Sequence, residues 1–416
     1  MTGERNGGRR RFDAAVTGLG MMTPAGKGTA ASWEGIRRGA GTEAVRVPEL
    51  VGIAPEFVCQ VPDFDPVAVV GRRRAGQFDR SSLLLLAAAM EAVADAGLDP
   101  GTWDGTRVGV VIGNGIGGAE TWETQHRRLL ERGPRRVSPR LIPMLSPNMA
   151  AGYVSLEFGA RGPSLVTATA CASGTTAIGT ARELLRSGAC DVVITGGAEA
   201  PLTPSLVTGF HQMGALSGRG DDIRGASRPF DADRDGFVAA EGAAVLVLER
   251  ARDARARGAR IRAMVSGYGA SADAYHPTAP DPQCTGAALA LRAALRDAGI
   301  GPKEVDHVNA HGTATRINDA TEARLIRQVL GDRPLVTSVK GVTGHSLSAA
   351  GAIEAAASAL TLQDSFVPPT ANLESLDPEI ELEVVAKEGR WTPAEVVVSN
   401  SFGFGGQNAV LLLTRA

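Results

Sequence analysis

Apolar residues fall in short runs separated by longer stretches with helical spacing, and that alternation predicts an α/β chain. Residues 12–18, 107–113 (RVGVVIG), 164–170 (SLVTATA), 191–194 and 243–248 have the composition of strands, with 107–113 and 164–170 apolar enough to be buried. Segments 305–310, 335–339, 396–399 and 409–413 repeat that character toward the C-terminus. Residues 79–97 predict a helix stopped by Gly97. In 174–187, Ala177, Ile178, Ala181, Leu184 and Leu185 share one helical face, and Gly188 closes the helix. Two more helices are predicted over 319–330 and 348–362, and 251–263 reads as a surface connection between two halves. The length, 416 residues, suits two or three domain-sized units or one large α/β body.

Charge removes one class of partner. Lys plus Arg is 43 and Asp plus Glu is 45, a formal net charge of −2, so no cationic excess exists to displace counterions from nucleic acid. The 52 glycines exceed the usual share of ~7% and imply many tight turns and close backbone approaches. Cys59, Cys171, Cys190 and Cys284 form no C-x-x-C pair, which argues against a disulfide scaffold and a structural zinc and fits a reducing cytoplasm. The longest apolar run, residues 83–90, is too short for a membrane span. Residues 1–11 read as a solvated basic tail; Thr17, Gly18 and Gly20 interrupt any signal-like segment behind it, so a soluble protein is expected.

Two motifs come close to known sites and fall short. Gly113-Asn-Gly115-Ile-Gly117-Gly118 follows a predicted strand and satisfies G-x-G-x-x-G, but no second βα unit with an acidic strand end follows it. A tight turn is the better reading. Asp231-Ala-Asp233-Arg-Asp235-Gly236 begins like a calcium loop, yet its twelfth position is Gly242 and Glu241 comes one place early. That segment reads as a polar turn with internal salt bridging.

Cys171 stands between a predicted strand and a predicted helix start (TATACASGTTAIG). First-turn N–H groups and the helix dipole favour negative charge there, which predicts a thiolate with a lowered pKa. The same groups suit the oxyanion formed when a thioester is attacked. The competing reading, a buried inert cysteine, is the one assigned to Cys59, Cys190 and Cys284. Of six histidines, His311 (NAHGTAT) and His345 (KGVTGHS) stand at strand ends in glycine-bearing turns that a ligand can approach. A loop-bracing role is the alternative for each. One sulfur and two imidazoles suit acyl transfer: the cysteine takes the acyl group, and two ring N–H donors, each worth about 3 kcal/mol, stabilise enolate charge.

The motifs TACASG at Cys171, NAHGTAT at His311, SVKGVTGHSLSAAG at Lys340 and His345, NSFGFGGQN over 400–408 and SRPFDADRDGFVAAEGAAVLVLE before them resemble those of the elongating β-ketoacyl-[acyl carrier protein] synthases. The likeness is nearest to the synthase II group and its type II polyketide relatives, and it runs from about Phe12 to the C-terminus. It implies a thiolase-like five-layer α-β-α-β-α fold with two similar halves. The first, 12–255, would carry the nucleophilic Cys171, and the second, 256–416, both histidines. It implies decarboxylative Claisen condensation of an acyl group on Cys171 with malonyl-[acyl carrier protein]. His311 and His345 would assist decarboxylation, and Lys340 would sit near His345 and pair with Glu354. Backbone N–H groups of Cys171 and Phe404 would form the oxyanion hole, with Phe404 gating the acyl pocket. Thr313 and Thr315 would lie along the malonyl arm and Ile116 and Phe210 along the acyl tunnel, with Asp319 in support. Chain-starting relatives carry Asn at the position of His345, and chain-length factors lack the cysteine, so the intact set implies active elongation.

The resemblance implies no metal and no cofactor beyond the phosphopantetheine arm brought by the carrier. It implies an acyl carrier protein as partner, docked on Arg72, Arg73, Arg74, Arg135 and Arg136, and a homodimer or a heterodimer with a homologous chain-length factor. A scaffold subunit of a polyketide complex is the alternative. Gly214 departs from the pattern where many relatives carry a basic docking residue. Asn318 departs where fatty-acid synthases usually carry glycine, and it resembles the polyketide ketosynthases there.

Overall fold

The computed structural model describes residues 12–416; the expected basic tail, 1–11, lies outside the described residues. Five strands build the first half: β1 (Ala14–Thr23), β2 (Val108–Gly113), β3 (Ser164–Thr167), β4 (Val192–Glu199) and β5 (Gly242–Arg250). Five more build the second: β6 (Ala263–Ala272), β7 (His307–Asn309), β8 (Leu335–Thr337), β9 (Val396–Gly403) and β10 (Gln407–Thr414), and two-residue strands, Gly26–Lys27 beside β1 and Glu383–Val384 beside β8, complete one twelve-stranded sheet. The helices that matter for the site are α1 (Arg80–Asp95), α2 (Asn148–Phe158), α3 (Ser173–Arg186), α4 (Thr285–Ala298), α5 (Arg316–Leu330) and α6 (Ala350–Asp364).

The two halves repeat one topology. Strand order is β3-β2-β4-β5-β1 in the first and β8-β7-β9-β10-β6 in the second. In each, the first two pairings are parallel and the next two antiparallel. The halves meet where Ala14–Val16 pairs antiparallel with Ala263–Val265. Helices α1 and α2 cover the first half of the sheet, α4 and α5 the second, and α3 and α6 lie between the two halves. This is the expected five-layer α-β-α-β-α arrangement. Ala350–Leu362 of α6 is buried on every side, which accounts for its run of alanines.

One packing device occurs twice. A Cβ on Gly18 or Gly20 of β1 would stand 2.0 or 1.9 Å from the carbonyl oxygens of Ala92 and Ala88 in α1. A Cβ on Gly267 or Gly269 of β6 would stand 2.4 or 2.0 Å from those of Ala294 and Ala290 in α4. In both halves glycine on the first strand lets an alanine-bearing helix lie directly on the sheet.

One local expectation needs correction, and two elements went unassigned. β3 is not buried: it is an edge strand with β2 on one side only, and Ser164 and Leu165 are exposed. Residues 264–272, to which the sequence pattern assigns no element, belong to the long strand β6, whose glycines and serines hide the strand pattern. Helix α4 was likewise absent from the sequence expectations. Among the described residues no helix is long and apolar enough to cross a membrane.

Candidate active site

Cys171 lies where β3 gives way to α3. The chain turns through Ala170, in the left-handed region at φ 48°, and one 3₁₀ turn, Ala170–Ala172, precedes the helix. Ser173 holds this turn: its Oγ donates to Ala170 O at 2.6 Å and accepts from Thr169 N at 2.9 Å. The backbone N–H groups of Phe404 and of Cys171 itself serve the sulfur. The expected thiolate is not what this setting favours. Burial pushes the Cys171 thiol up to about 11, against the pull of Lys340 and the two N–H groups. Loss of solvation outweighs the helix start, whose field is worth at most ~2 kcal/mol and fades within a turn.

His345 follows the short helix Lys340–Thr343 and Gly344, and its Nε2 lies 3.1 Å from Cys171 Sγ. The His311 ring sits 5.4 Å from that of His345, centroid to centroid, at 84°. Burial lowers both imidazoles well below 6.5, and Lys340 adds to the effect, so both are neutral near pH 7. Lys340 Nζ stands 3.4 Å from His311 Nδ1 and also donates to His311 O and to Glu354. An ammonium facing Nδ1 requires a lone pair there, which leaves the ring proton on Nε2. Burial raises the Glu354 carboxyl to about 7, and Lys340 opposes the rise.

The same three loops carry local strain. Ala170, Ala314 (φ 64°) and Leu347 (φ 47°) all hold left-handed backbone without being glycine, and each lies within three residues of Cys171, His311 or His345. Such conformations cost about 1–3 kcal/mol apiece and persist where the surroundings enforce them.

Cys171, His311 and His345 open on one cavity of about 720 Å³. Ile116, Phe210, Thr313, Thr315 and Phe404 line it too, and Thr313 Oγ1 and Thr315 Oγ1 share a 2.9 Å hydrogen bond. The G-x-G-x-x-G segment is a turn in the cavity wall, tied by Gly117 N donating to Asn114 Oδ1 at 2.9 Å. Lys340, Glu354 and Asp319 stand behind the wall. Asp319 accepts from Phe230 N at 2.9 Å and faces Arg234 at 3.6 Å. The calcium-like segment is internal: buried Asp231 accepts from Arg228 at 2.9 Å and from three backbone N–H groups. Arg72, Arg73, Arg135 and Arg136 are exposed on two short turns. Arg74 pairs with Glu157 at 2.7 Å.

Several residues at the site escaped the sequence expectations. Glu322 accepts from the N–H groups of His311 and Gly312 at 2.8 Å each and from Asn400 Nδ2 at 3.0 Å, so one carboxylate locks two loops. Its signal was an acid one helical turn after Asp319. Phe237 packs edge-on to His345, and Phe402 edge-on to His311. Glu199 and Ser348 form a buried polar pair in the cavity wall. Cys171, His311 and His345 place one sulfur and two nitrogens within 4.8 Å of one another, a donor set that can hold a soft divalent cation. The Lys340 ammonium works against such an occupant.

Family models match the chain twice: beta-ketoacyl synthase, N-terminal domain, over residues 12–254, and beta-ketoacyl synthase, C-terminal domain, over 262–374. A 3-oxoacyl-[acyl-carrier-protein] synthase 2 of Staphylococcus aureus is 43% identical over 404 residues, covering 96% of this chain and 97% of that protein. The solved ishigamide ketosynthase/chain length factor superposes with a TM-score of 0.92 at 34% identity, covering 98% of this chain and 100% of the other. A ketosynthase bound to a hexaketide and to its type II polyketide acyl-carrier protein gives 0.90 at 33%, with coverage of 98% and 100%.

Proposed function

The chain belongs to the β-ketoacyl synthase family, and from that premise we propose that it joins an acyl group to malonyl-[acyl carrier protein], releasing CO2 and a 3-oxoacyl-[acyl carrier protein]. The observation that carries this reading is the 3.1 Å approach of His345 Nε2 to Cys171 Sγ inside a cavity that His311 shares.

Cys171 is the nucleophile. Its thiol proton passes to neutral His345 as sulfur attacks the acyl thioester, and His345 hands that proton to the departing carrier thiolate. The N–H groups of Cys171 and Phe404 face the carbonyl oxygen as it gains charge. Malonyl thioester then enters past Thr313 and Thr315. Its carboxylate departs as CO2, and the enolate oxygen takes hydrogen bonds from Nε2–H of His311 and from His345 once that ring carries its proton on Nε2. The enolate carbon attacks the acyl-cysteine, the C–S bond breaks, and the Cys171 thiolate takes a proton from solvent, the one proton that the loss of CO2 consumes. Lys340, held by Glu354, sets the His311 tautomer. His345 relays the thiol proton and solvent supplies one proton per turnover, so the steps balance without metal or soluble cofactor, the phosphopantetheine arm arriving with the carrier.

Exposed Arg72, Arg73, Arg135 and Arg136 suit an acidic carrier protein. The unpaired edge of β3, with Leu165 44% and nearby Leu156 78% exposed, suits burial against a second chain. A homodimer and a heterodimer with a homologous chain-length factor both fit, the second favoured by the likeness to the ishigamide pair. The intact Cys-His-His set speaks against a purely scaffolding subunit. A cytoplasmic site of action suits four unpaired cysteines.

Intact-mass analysis tests the reaction. Incubation with an acyl carrier thioester adds the acyl mass to the wild-type chain, and adding malonyl carrier discharges it as 3-oxoacyl product. A mass shift that persists in Cys171→Ala overturns the assignment.

A further inference from the structure

Glu199 ends β4 in the wall of the cavity that holds Cys171, and no step of the condensation uses it. Its two oxygens are treated unequally. Oε2 accepts from Gly115 N at 3.0 Å, from Ile116 N at 3.3 Å and from Ser348 Oγ. Oε1 has only the amide of Asn114, at a long 3.5 Å. Ser348, three residues after His345, also accepts from Gly115 N at 3.1 Å, so its hydroxyl is fixed with its proton toward Glu199. Ile116, Phe210, Phe237 and Leu347 line the same cavity and give it apolar surface. Burial raises the Glu199 carboxyl to about 7, which makes it an acceptor or a donor close to neutral pH.

A buried carboxyl facing a purely alkyl chain loses solvent and gains nothing in return. An oxygen on the chain adds a hydrogen bond at Oε1, where the present partner is long. We propose that Glu199, oriented by Ser348, is a specificity-determining subsite whose Oε1, held only by the long Asn114 contact, hydrogen-bonds an oxygen function, hydroxyl or oxo, on the acyl chain carried by Cys171. The enzyme then elongates oxygen-bearing chains in preference to plain alkyl chains. This rests on the condensation reading above.

The test compares kcat/KM for carrier thioesters of octanoate that are unsubstituted, β-hydroxy, β-oxo, δ-hydroxy or δ-oxo. The wild type favours at least one oxygenated chain over octanoyl by roughly tenfold. Ser348→Ala and Glu199→Gln each change that ratio by roughly fivefold or more, whereas a pair that only braces the Gly115–Ile116 turn lowers all substrates together. A hydroxy preference assigns the carboxylate as acceptor, and an oxo preference assigns the protonated acid as donor. Ratios within twofold of unity for every chain in the wild type overturn the proposal, as do ratios unchanged in folded variants. If Glu199→Gln does not fold, the wild-type panel and Ser348→Ala still decide. Absence of acyl-Cys171 with every chain sinks the condensation reading itself, and this inference with it, a result distinct from condensation without preference.

Discussion

Lys340 Nζ stands 3.4 Å from His311 Nδ1 while its charge is paired with Glu354, so one buried cation serves both the fold and the tautomer of a ring in the cavity. These two duties separate by mutation. Lys340→Met leaves Glu354 buried and unpaired, and such a loss costs about 3–5 kcal/mol. Lys340→Met with Glu354→Gln removes both charges and recovers most of that stability. The double variant still acylates Cys171, but CO2 release falls by roughly a hundredfold because nothing fixes the His311 proton on Nε2. Thermal melts and CO2 release measured on the same preparations check this. Full CO2 release in the double variant removes Lys340 from the chemistry.

The acidity of Cys171 gives a second test. Its thiol is raised to about 11 by burial, so the ionised fraction is small at pH 7 and grows with pH. Alkylation of Cys171 by iodoacetamide, read on its peptide, therefore climbs about tenfold per pH unit between roughly pH 7 and 9.5. The sign for stability follows: the group is protonated in both states at pH 7. As pH rises past the usual thiol value of ~8.5, the unfolded chain ionises first, and this group's contribution to stability declines. An alkylation plateau below pH 8 would falsify the assignment of a protonated resting thiol.

The chemistry of this molecule was legible where it is local. Cys171, His311, His345, Lys340 and the turn at Phe404 sit in short glycine-bearing motifs, and the structure brings them around one cavity, with Lys340 just behind its wall. What escaped is what depends on distant partners. Glu322 looks like any helix acid until it meets Asn400, 78 residues away. Glu199 meets Ser348 across 149 residues, and no local pattern marks either. The depressed thiol pKa was wrong for the same reason: the helix start is visible in sequence, while the depth of burial that opposes it is not. The alternation rule failed at β6, where glycines answer to α4 rather than to the strand, and at β3, where an apolar run lies on a sheet edge.

Glu322 positions His311 without touching the cavity. Its carboxylate holds the N–H groups of His311 and Gly312, and Asn400 reaches the same group. Glu322→Gln keeps the volume but weakens two charge-assisted bonds, worth about 1.5–3 kcal/mol each. The expected result is a kcat for condensation lower by roughly ten- to hundredfold with KM changed far less. Acylation, which leans on His345, changes little. Equal losses in acylation and condensation would instead mark a general collapse of the site.

The exposed edge of β3 carries the prediction about assembly. Its backbone has free hydrogen-bonding groups on one side, and Leu165 and Leu156 present apolar surface beside it. A second sheet edge laid antiparallel would satisfy the groups and cover the side chains. Leu165→Asp places a charge in that contact and costs binding without touching the internal core. Light scattering after size exclusion should give twice the chain mass for the wild type, alone or with a homologous partner, and the single-chain mass for Leu165→Asp. Because β3 leads directly through residues 168–170 into Cys171, loss of the partner should also lower the acylation rate. A wild type that stays at single-chain mass both alone and with a homologous partner, or a variant that remains a dimer, rules out this edge as the interface.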